Sequence, residues 1–428
     1  MRPRNVLFLQ GHPSVFSRDL GRALARRGHK VRHVTLNFGD WLFWRGEGEI
    51  RYRGSLADWD EWLDRLVVTE GIDLMVYFAD RHPYHVAAQR VARRRGITPL
   101  SYEFGYLRPD WITVELGGQS VHSHFPDRLD AIRALAARHP LPDQCPRFSH
   151  PYWQEAVSEV AYHLGNALLW PLFPRFVADR TRHPLLEYLS YIPRDLRAAK
   201  NAREADAVVR ARLEGPEPFF LLALQMEGDY QIRANSRYAG LRPVLEEVIA
   251  SFAADAPGDA RLVVKLHPRD NGLTNWRAVT LALAAQTGLA DRVDFIDGGD
   301  LQALLAGARG CIVVNSTVGL HALQAGCPVK CLGIAVYDIP GLTHQGPLAG
   351  FWTAAERPDP DDVACLIRAL ATTIQVRGDF FSADGRAAAV ASTIALIESG
   401  AISDYPGRED IPPRVAKARA QGIPVDPW

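Results

Sequence analysis

The chain has 428 residues, 47% hydrophobic and 23% charged, and its 49 basic and 49 acidic side chains cancel to a formal net charge of zero. That length exceeds one typical core and implies two domains of roughly 200 residues each, while the lack of net basic charge argues against a nucleic-acid partner. Five cysteines without a CxxC pair read as free thiols of a reducing compartment, not as a disulfide frame or a zinc site.

The first apolar run, Val6-Leu7-Phe8-Leu9, is too short for a signal peptide, and no run approaches the ~18–20 apolar residues of a membrane span. A cytoplasmic protein is therefore expected. Strand Val6–Leu9 leads into the loop Gln10-Gly11-His12-Pro13-Ser14 and a helix near Phe16–Arg27, which Gly28 closes before strand Val31–Leu36. Strand Asp73–Phe78, a helix near Tyr84–Arg95 and a strand near Thr98–Tyr102 continue the alternation. Residues 140–215 are richer in Pro, Arg and aromatics and read as a partly helical connection.

The second half has the same grammar. Strands are expected at Phe219–Leu224, Arg261–Leu266, Arg292–Ile296, Cys311–Val314 and Val329–Leu332. Helices near Leu241–Ala253, Asn275–Thr287, Leu301–Ala308 and Val318–Ala325 lie between them. Strands alternating with helices of this length give parallel sheets. The fold class is α/β, with two Rossmann-like domains facing across a cleft. The first spans 1–215, the second 216–395, and the tail 396–428 is expected to pack back on the first.

In open α/β sheets, ligands bind beyond the carboxyl ends of the strands. Two strand tips draw attention there: Lys265, His267 and Pro268, and then Asn315, Ser316 and Thr317. The first offers a cation and an imidazole, the second hydroxyls and the N–H groups of a helix start, so together they suit a nucleotide phosphate. The plain alternatives are a Pro turn and an N-cap. Glu103 and Asp229 each follow the last apolar residue of an expected strand, and a carboxylate pair is what glycosyl chemistry requires. Asp19, Asp40, Asp80 and Asp300 occupy comparable positions, so position alone does not choose among them. There is no G-x-G-x-x-G or Walker A loop, which disfavours a dehydrogenase or a phosphate-loop ATPase.

Several blocks carry a resemblance: Gln10-Gly11-His12, Asn37-Phe38-Gly39-Asp40, the run from Tyr102 to Thr113, the run from Leu224 to Ile232, and the run from Gly333 to Thr343. With the Lys265–Pro268 and Asn315–Gly319 motifs, they resemble the capsule polysaccharide biosynthesis family, and within it the single-module retaining β-Kdo transferases. The likeness runs from about residue 5 to about residue 355.

The resemblance implies a GT-B-type glycosyltransferase moving Kdo from CMP-β-Kdo to phosphatidylglycerol or its lyso form. It implies Asp229 as covalent nucleophile and Glu103 as the remaining acid of a motif that in relatives has two. It also implies a CMP site at Lys265, His267, Pro268, Asn315, Ser316 and Thr317. Gln10, His12 and Arg108 are expected to meet the acceptor or the sugar carboxylate. No metal and no cofactor are expected. The partners that the resemblance implies are a CMP-sugar, a phospholipid acceptor and other capsule-synthesis transferases, at the inner face of the cytoplasmic membrane.

One departure stands out: Phe104 occupies the place of the second acid, and His12, His82 or His344 are candidates to replace it. The apolar, aromatic stretch from Leu168 to Phe176 suggests contact with the membrane interface, against the plainer reading of packing between domains. Alternative functions are transfer of another CMP- or UDP-sugar and a non-catalytic adaptor of capsule export.

Overall fold

A computed structural model describes residues 3–178 and 184–425. The chain divides into two compact α/β units. No helix among the described residues is long and apolar enough to cross a membrane.

The first unit comprises Met1–Phe125, His139–Arg180 and Ile367–Pro412. Its strands are β1 (Asn5–Phe8), β2 (Lys30–Thr35), β3 (Glu49–Arg51), β4 (Leu74–Phe78), β5 (Thr98–Phe104) and β6 (Trp111–Leu116). The order is β3-β2-β1-β4-β5-β6, and a late strand, Gln375–Arg377, joins beyond β6. Strands β1 to β5 run parallel, and β6 turns back antiparallel to β5. Successive side chains of a strand point to opposite faces. Val6 and Phe8 of β1 accordingly enter one core with Phe16 and Leu20, while Leu7 and Leu9 enter another with Trp59 and Leu63.

The second unit comprises Pro126–Arg138, Thr181–Leu366 and Pro413–Trp428. Strands β7 (Phe219–Ala223), β8 (Arg261–Lys265), β9 (Val293–Ile296), β10 (Gly310–Val313) and β11 (Val329–Cys331) form one parallel sheet in the order β11-β10-β7-β8-β9. All five residues of β7 are buried, as both faces of a parallel sheet demand. The expected strands and helices of this half are all present within a residue or two.

The unit boundaries differ from those expected. The long helix Pro184–Glu214 belongs to the second unit, where Ala205 and Val209 are buried and Asn201 Nδ2 donates to Asp297 Oδ2 at 3.0 Å. The return to the first unit comes at Ile367, not near 395. Gln375–Arg377 pairs with β6, and the helix Ala383–Ser399 is tied down by Arg386 to Asp19 at 2.7 Å and Glu398 to Arg27 at 2.7 Å. The last segment, Pro413 onward, packs on the second unit through Arg414 and Lys417. In the Leu168–Phe176 stretch, Phe173 is buried and Phe176 stacks on Tyr84, whereas Leu168, Leu169, Trp170 and Leu172 are exposed.

Candidate functional site

The tips of the adjacent strands β7 and β10 meet through Gln225. Its Nε2 donates to Asp229 Oδ2 at 3.1 Å and to Asn315 Oδ1 at 2.9 Å, and its Oε1 accepts the Asn315 backbone N–H at 3.1 Å. Asp229 caps the short helix Tyr230–Asn235, its Oδ1 accepting from Gln231 N at 2.9 Å. Asn315 Nδ2 donates to the Gln231 carbonyl at 2.8 Å, which closes the cluster. Both oxygens of Asp229 are thereby held by donors, which fixes the direction of the carboxyl group.

Ser316 and Thr317 follow directly. Thr317 is the N-cap residue of helix Val318–Gln324 but makes no side-chain cap bond; the Ser316 hydroxyl oxygen accepts the Val318 N–H at 3.2 Å instead. The Ser316 carbonyl accepts from the Tyr337 hydroxyl. A side chain at Gly319 would collide with that same hydroxyl, so Gly319 permits the approach.

Tyr337 lies in the Gly333–Thr343 motif, which the C-terminal helix Arg414–Ala420 holds in place. The buried Arg414 donates to the carbonyls of Ala335 at 3.3 Å, Val336, and Pro126 at 3.1 Å. Lys417 Nζ lies 2.6 Å from Asp338 Oδ2, and Thr343 donates to Asp338 Oδ1 at 2.7 Å.

Lys265 and His267 belong to the neighbouring tip of β8, and the Lys265 ammonium turns away from the cluster. Lys265 Nζ donates to the Gly298 carbonyl beyond β9. Burial pushes this ammonium below its ordinary value, with Asp297 and Asp300 opposing the shift. The His267 Nδ1 accepts Arg269 N at 3.1 Å and its carbonyl accepts Asp270 N at 3.0 Å, so His267 and Pro268 do form a turn. The Pro184–Glu214 helix clamps that turn: Arg194 donates to the Pro268 carbonyl at 2.7 Å and Ser190 to the Asn271 carbonyl at 2.6 Å.

In the first unit, Gln10 is buried and donates to the Tyr162 hydroxyl at 2.7 Å. Asn37 donates to the same oxygen at 3.1 Å, and Tyr162 donates to Asp40 Oδ1 at 3.0 Å. Burial raises the Asp40 carboxyl to about 7, against its hydrogen bonds from Leu36 and Tyr162. His12 and Asp40 line one cavity of ≈ 10 Å³, about one water in size.

His12 itself sits among the rings of Phe78, Phe104, Phe380 and Phe381. Neither of its ring nitrogens has a hydrogen-bond partner among the described residues, and burial lowers it to about 4. Glu103 lies inside β5, opposite Thr113 of β6, and is half-buried. Arg108 is exposed, its guanidinium 5.0 Å from the centre of the Phe104 ring.

Sequence reasoning singled out Asp229 and Asn315 but not Gln225, the residue that joins them. A Gln one position past a fully apolar strand, facing an Asn at the next strand tip, was the available signal. Tyr337 and Arg414 were legible only as parts of a motif and a tail.

A two-unit α/β fold with a polar cluster at the strand tips of its second sheet defines the class, and the sequence gives the family. The chain belongs to the capsule polysaccharide biosynthesis protein family, whose profile matches residues 73–381. It is 31% identical over 365 residues to the capsule polysaccharide export protein KpsS of Escherichia coli, covering 83% of this chain and 91% of that one. To the capsule polysaccharide modification protein LipB of Neisseria meningitidis it is 29% identical over 393 residues, covering 88% of this chain and 92% of that one. Among solved structures, the β-Kdo 2,7 transferase of Thermosulfurimonas dismutans KpsC is similar at 14% identity with a TM-score of 0.47, over 92% of this chain and 100% of the other.

Proposed function

We propose that the protein is a retaining glycosyltransferase that moves Kdo from CMP-β-Kdo to a (lyso)phosphatidylglycerol acceptor, beginning the glycolipid linker of a capsule. The observation that carries this reading is the cluster Gln225–Asp229–Asn315, which orients a carboxylate at the ligand-binding ends of a parallel sheet. Membership of the capsule biosynthesis family supports the biological setting.

In the proposed reaction an Asp229 oxygen attacks the anomeric carbon while the bond from that carbon to the CMP phosphate oxygen breaks and CMP departs. The acceptor hydroxyl then attacks the same carbon, its proton passes to a base, and the Asp229 carboxylate is released. Two inversions give net retention. Deprotonation is assigned to Glu103. His12, kept neutral and weakly basic by burial, is a poor proton acceptor at neutral pH.

Lys265, His267 and Pro268, with Asn315, Ser316 and Thr317, are assigned to CMP. Gln10, His12 and Arg108 are assigned to the acceptor or the Kdo carboxylate. The protein would work without metal or cofactor, peripherally at the inner face of the cytoplasmic membrane beside other capsule-synthesis transferases.

The test is purified protein with CMP-Kdo and a lyso-phosphatidylglycerol analogue, read by mass spectrometry. A Kdo-bearing lipid is expected. No product together with no calorimetric binding of CMP would leave the adaptor reading standing, and product from a different CMP- or UDP-sugar alone would replace the donor.

A further inference from the structure

The helix Tyr152–Leu168 is amphipathic the wrong way round for a protein in water. Its inward face is polar: Glu155 and Tyr162 are buried, and Asn166 accepts the Gly39 N–H at 2.7 Å. These three sit at i, i+7 and i+11, one face of a helix. Trp153, Val157, Val160, Leu164 and Leu168 form a second stripe, displaced from the first around the helix. Trp153 is 60% exposed, Val157 57% and Leu168 69%. The stripe continues past the helix into Leu169, Trp170 and Leu172, with Trp170 61% exposed. A contiguous apolar surface of this kind marks an interaction site.

We propose that this face is a membrane-docking surface, on which the helix lies in the plane of a phospholipid bilayer with its apolar stripe in the headgroup–acyl boundary. Its composition fits that occupant. Trp153 and Trp170, with the exposed Tyr152 beside Trp153, accompany aliphatic residues, the mixture enriched at membrane interfaces. The stripe itself carries no charged side chain: Glu155 is buried on the opposite face, Glu159 lies off the stripe in contact with His163 at 3.2 Å, and Arg175 is exposed at the end of the stretch. A basic residue beside an uncharged stripe suits an anionic lipid surface.

A partner helix fits less well. Helix–helix seams are flanked by charged positions that choose the partner, whereas the positions flanking this stripe are Gln154, Ala156, Ala161 and Ala167. The inference deepens the proposed use of a lipid acceptor and rests on that reading for its purpose, though not for its geometry.

The test is flotation of the full chain with vesicles of phosphatidylcholine containing phosphatidylglycerol, comparing wild type with the double variant Trp153→Ser, Leu168→Ser. Both side chains are exposed, so the variant should keep the wild-type circular dichroism and melting temperature. Wild type is expected to float and the variant to lose at least tenfold of the bound fraction. Equal flotation of both, or none by wild type, overturns the proposal; so does a wild-type dimer that the variant converts to monomer without any vesicle binding. Transfer of Kdo to a detergent-dispersed acceptor separates the two readings. If it is absent while flotation behaves as expected, the transferase reading fails and the docking surface stands.

Discussion

The rings of His12 and Phe104 meet at right angles with their centres 5.0 Å apart. The place where relatives are expected to carry a second acid is therefore filled by a hydrocarbon ring that helps to wall in an imidazole. Phe104→Glu would put a carboxylate against His12. An opposite charge at that distance favours the protonated ring, so the His12 titration, followed by NMR, should move up from about 4 by at least one pH unit. An unmoved titration would show that the side chain at 104 does not face His12.

His12 also makes the fold acid-sensitive. Its pKa falls from 6.5 in the unfolded chain to about 4 in the folded one, so the unfolded state binds more protons in that window. The stability it contributes is present above 6.5 and is lost as the pH falls toward 4, by about 3 kcal/mol. His33 and His85, each held near 3, act in the same direction. Urea unfolding of His12→Phe should lose less stability than wild type between pH 7 and 4.5; parallel curves would contradict the burial.

Asp40 works with the opposite sign. Its folded value of about 7 lies above the ordinary 3.8, so its contribution is fully present below 3.8 and disappears as the pH rises through 7. In Asp40→Asn the part of the stability curve that declines between pH 4 and 7 should be missing. Persistence of that slope would assign it to another group.

Gln225 positions Asp229 and has no other assigned role. Gln225→Leu removes the donor to Asp229 Oδ2 and both bonds to Asn315. Loss of orientation at a nucleophile costs on the order of 10²-fold in rate. The expected outcome is that fall in kcat with KM for CMP-Kdo nearly unchanged and the melting temperature within a few degrees. A change confined to KM would make Gln225 a donor-binding residue instead.

Arg414 is a buried guanidinium that donates to three carbonyls, at Ala335, Val336 and Pro126. Arg414→Ala removes the donor from the carbonyls of the buried Val336 and of Pro126, while the Ala335 carbonyl keeps the Asp338 N–H, and a loss of about 3 kcal/mol is expected in urea unfolding. Because Tyr337 and Ser316 lie on the same chain of contacts, CMP binding should weaken as well. Full stability would mean that water replaces the side chain without cost.

The second sheet was legible because each buried parallel strand is a short apolar run broken by a polar tip, as at Arg261–Lys265 and Gly310–Val313. The helix Leu56–Glu70 is not among the elements expected from the sequence, although Ser55 and Asp58 form a capping box and Trp59, Leu63 and Val67 follow at helical spacing. Its exposed face is dense with charge, which hid the apolar stripe. Strand β6 could not be read as an antiparallel partner of β5, because pairing direction depends on contacts distant in sequence. The same holds for the return of the chain at Ile367, fixed by pairing of Gln375 with Thr113. At the site, residue types announced the tips, but only the fold revealed that Asn315 bonds Gln225 while Lys265 turns toward Gly298.

The assignment of Asp229 as nucleophile is tested most directly by intact-protein mass spectrometry after incubation with CMP-Kdo in the absence of acceptor. The expected result is a species heavier by one Kdo residue, mapped by peptide analysis to Asp229, discharged on adding lyso-phosphatidylglycerol, and missing from Asp229→Ala. An adduct on another residue, or full transfer activity in Asp229→Ala, would contradict it.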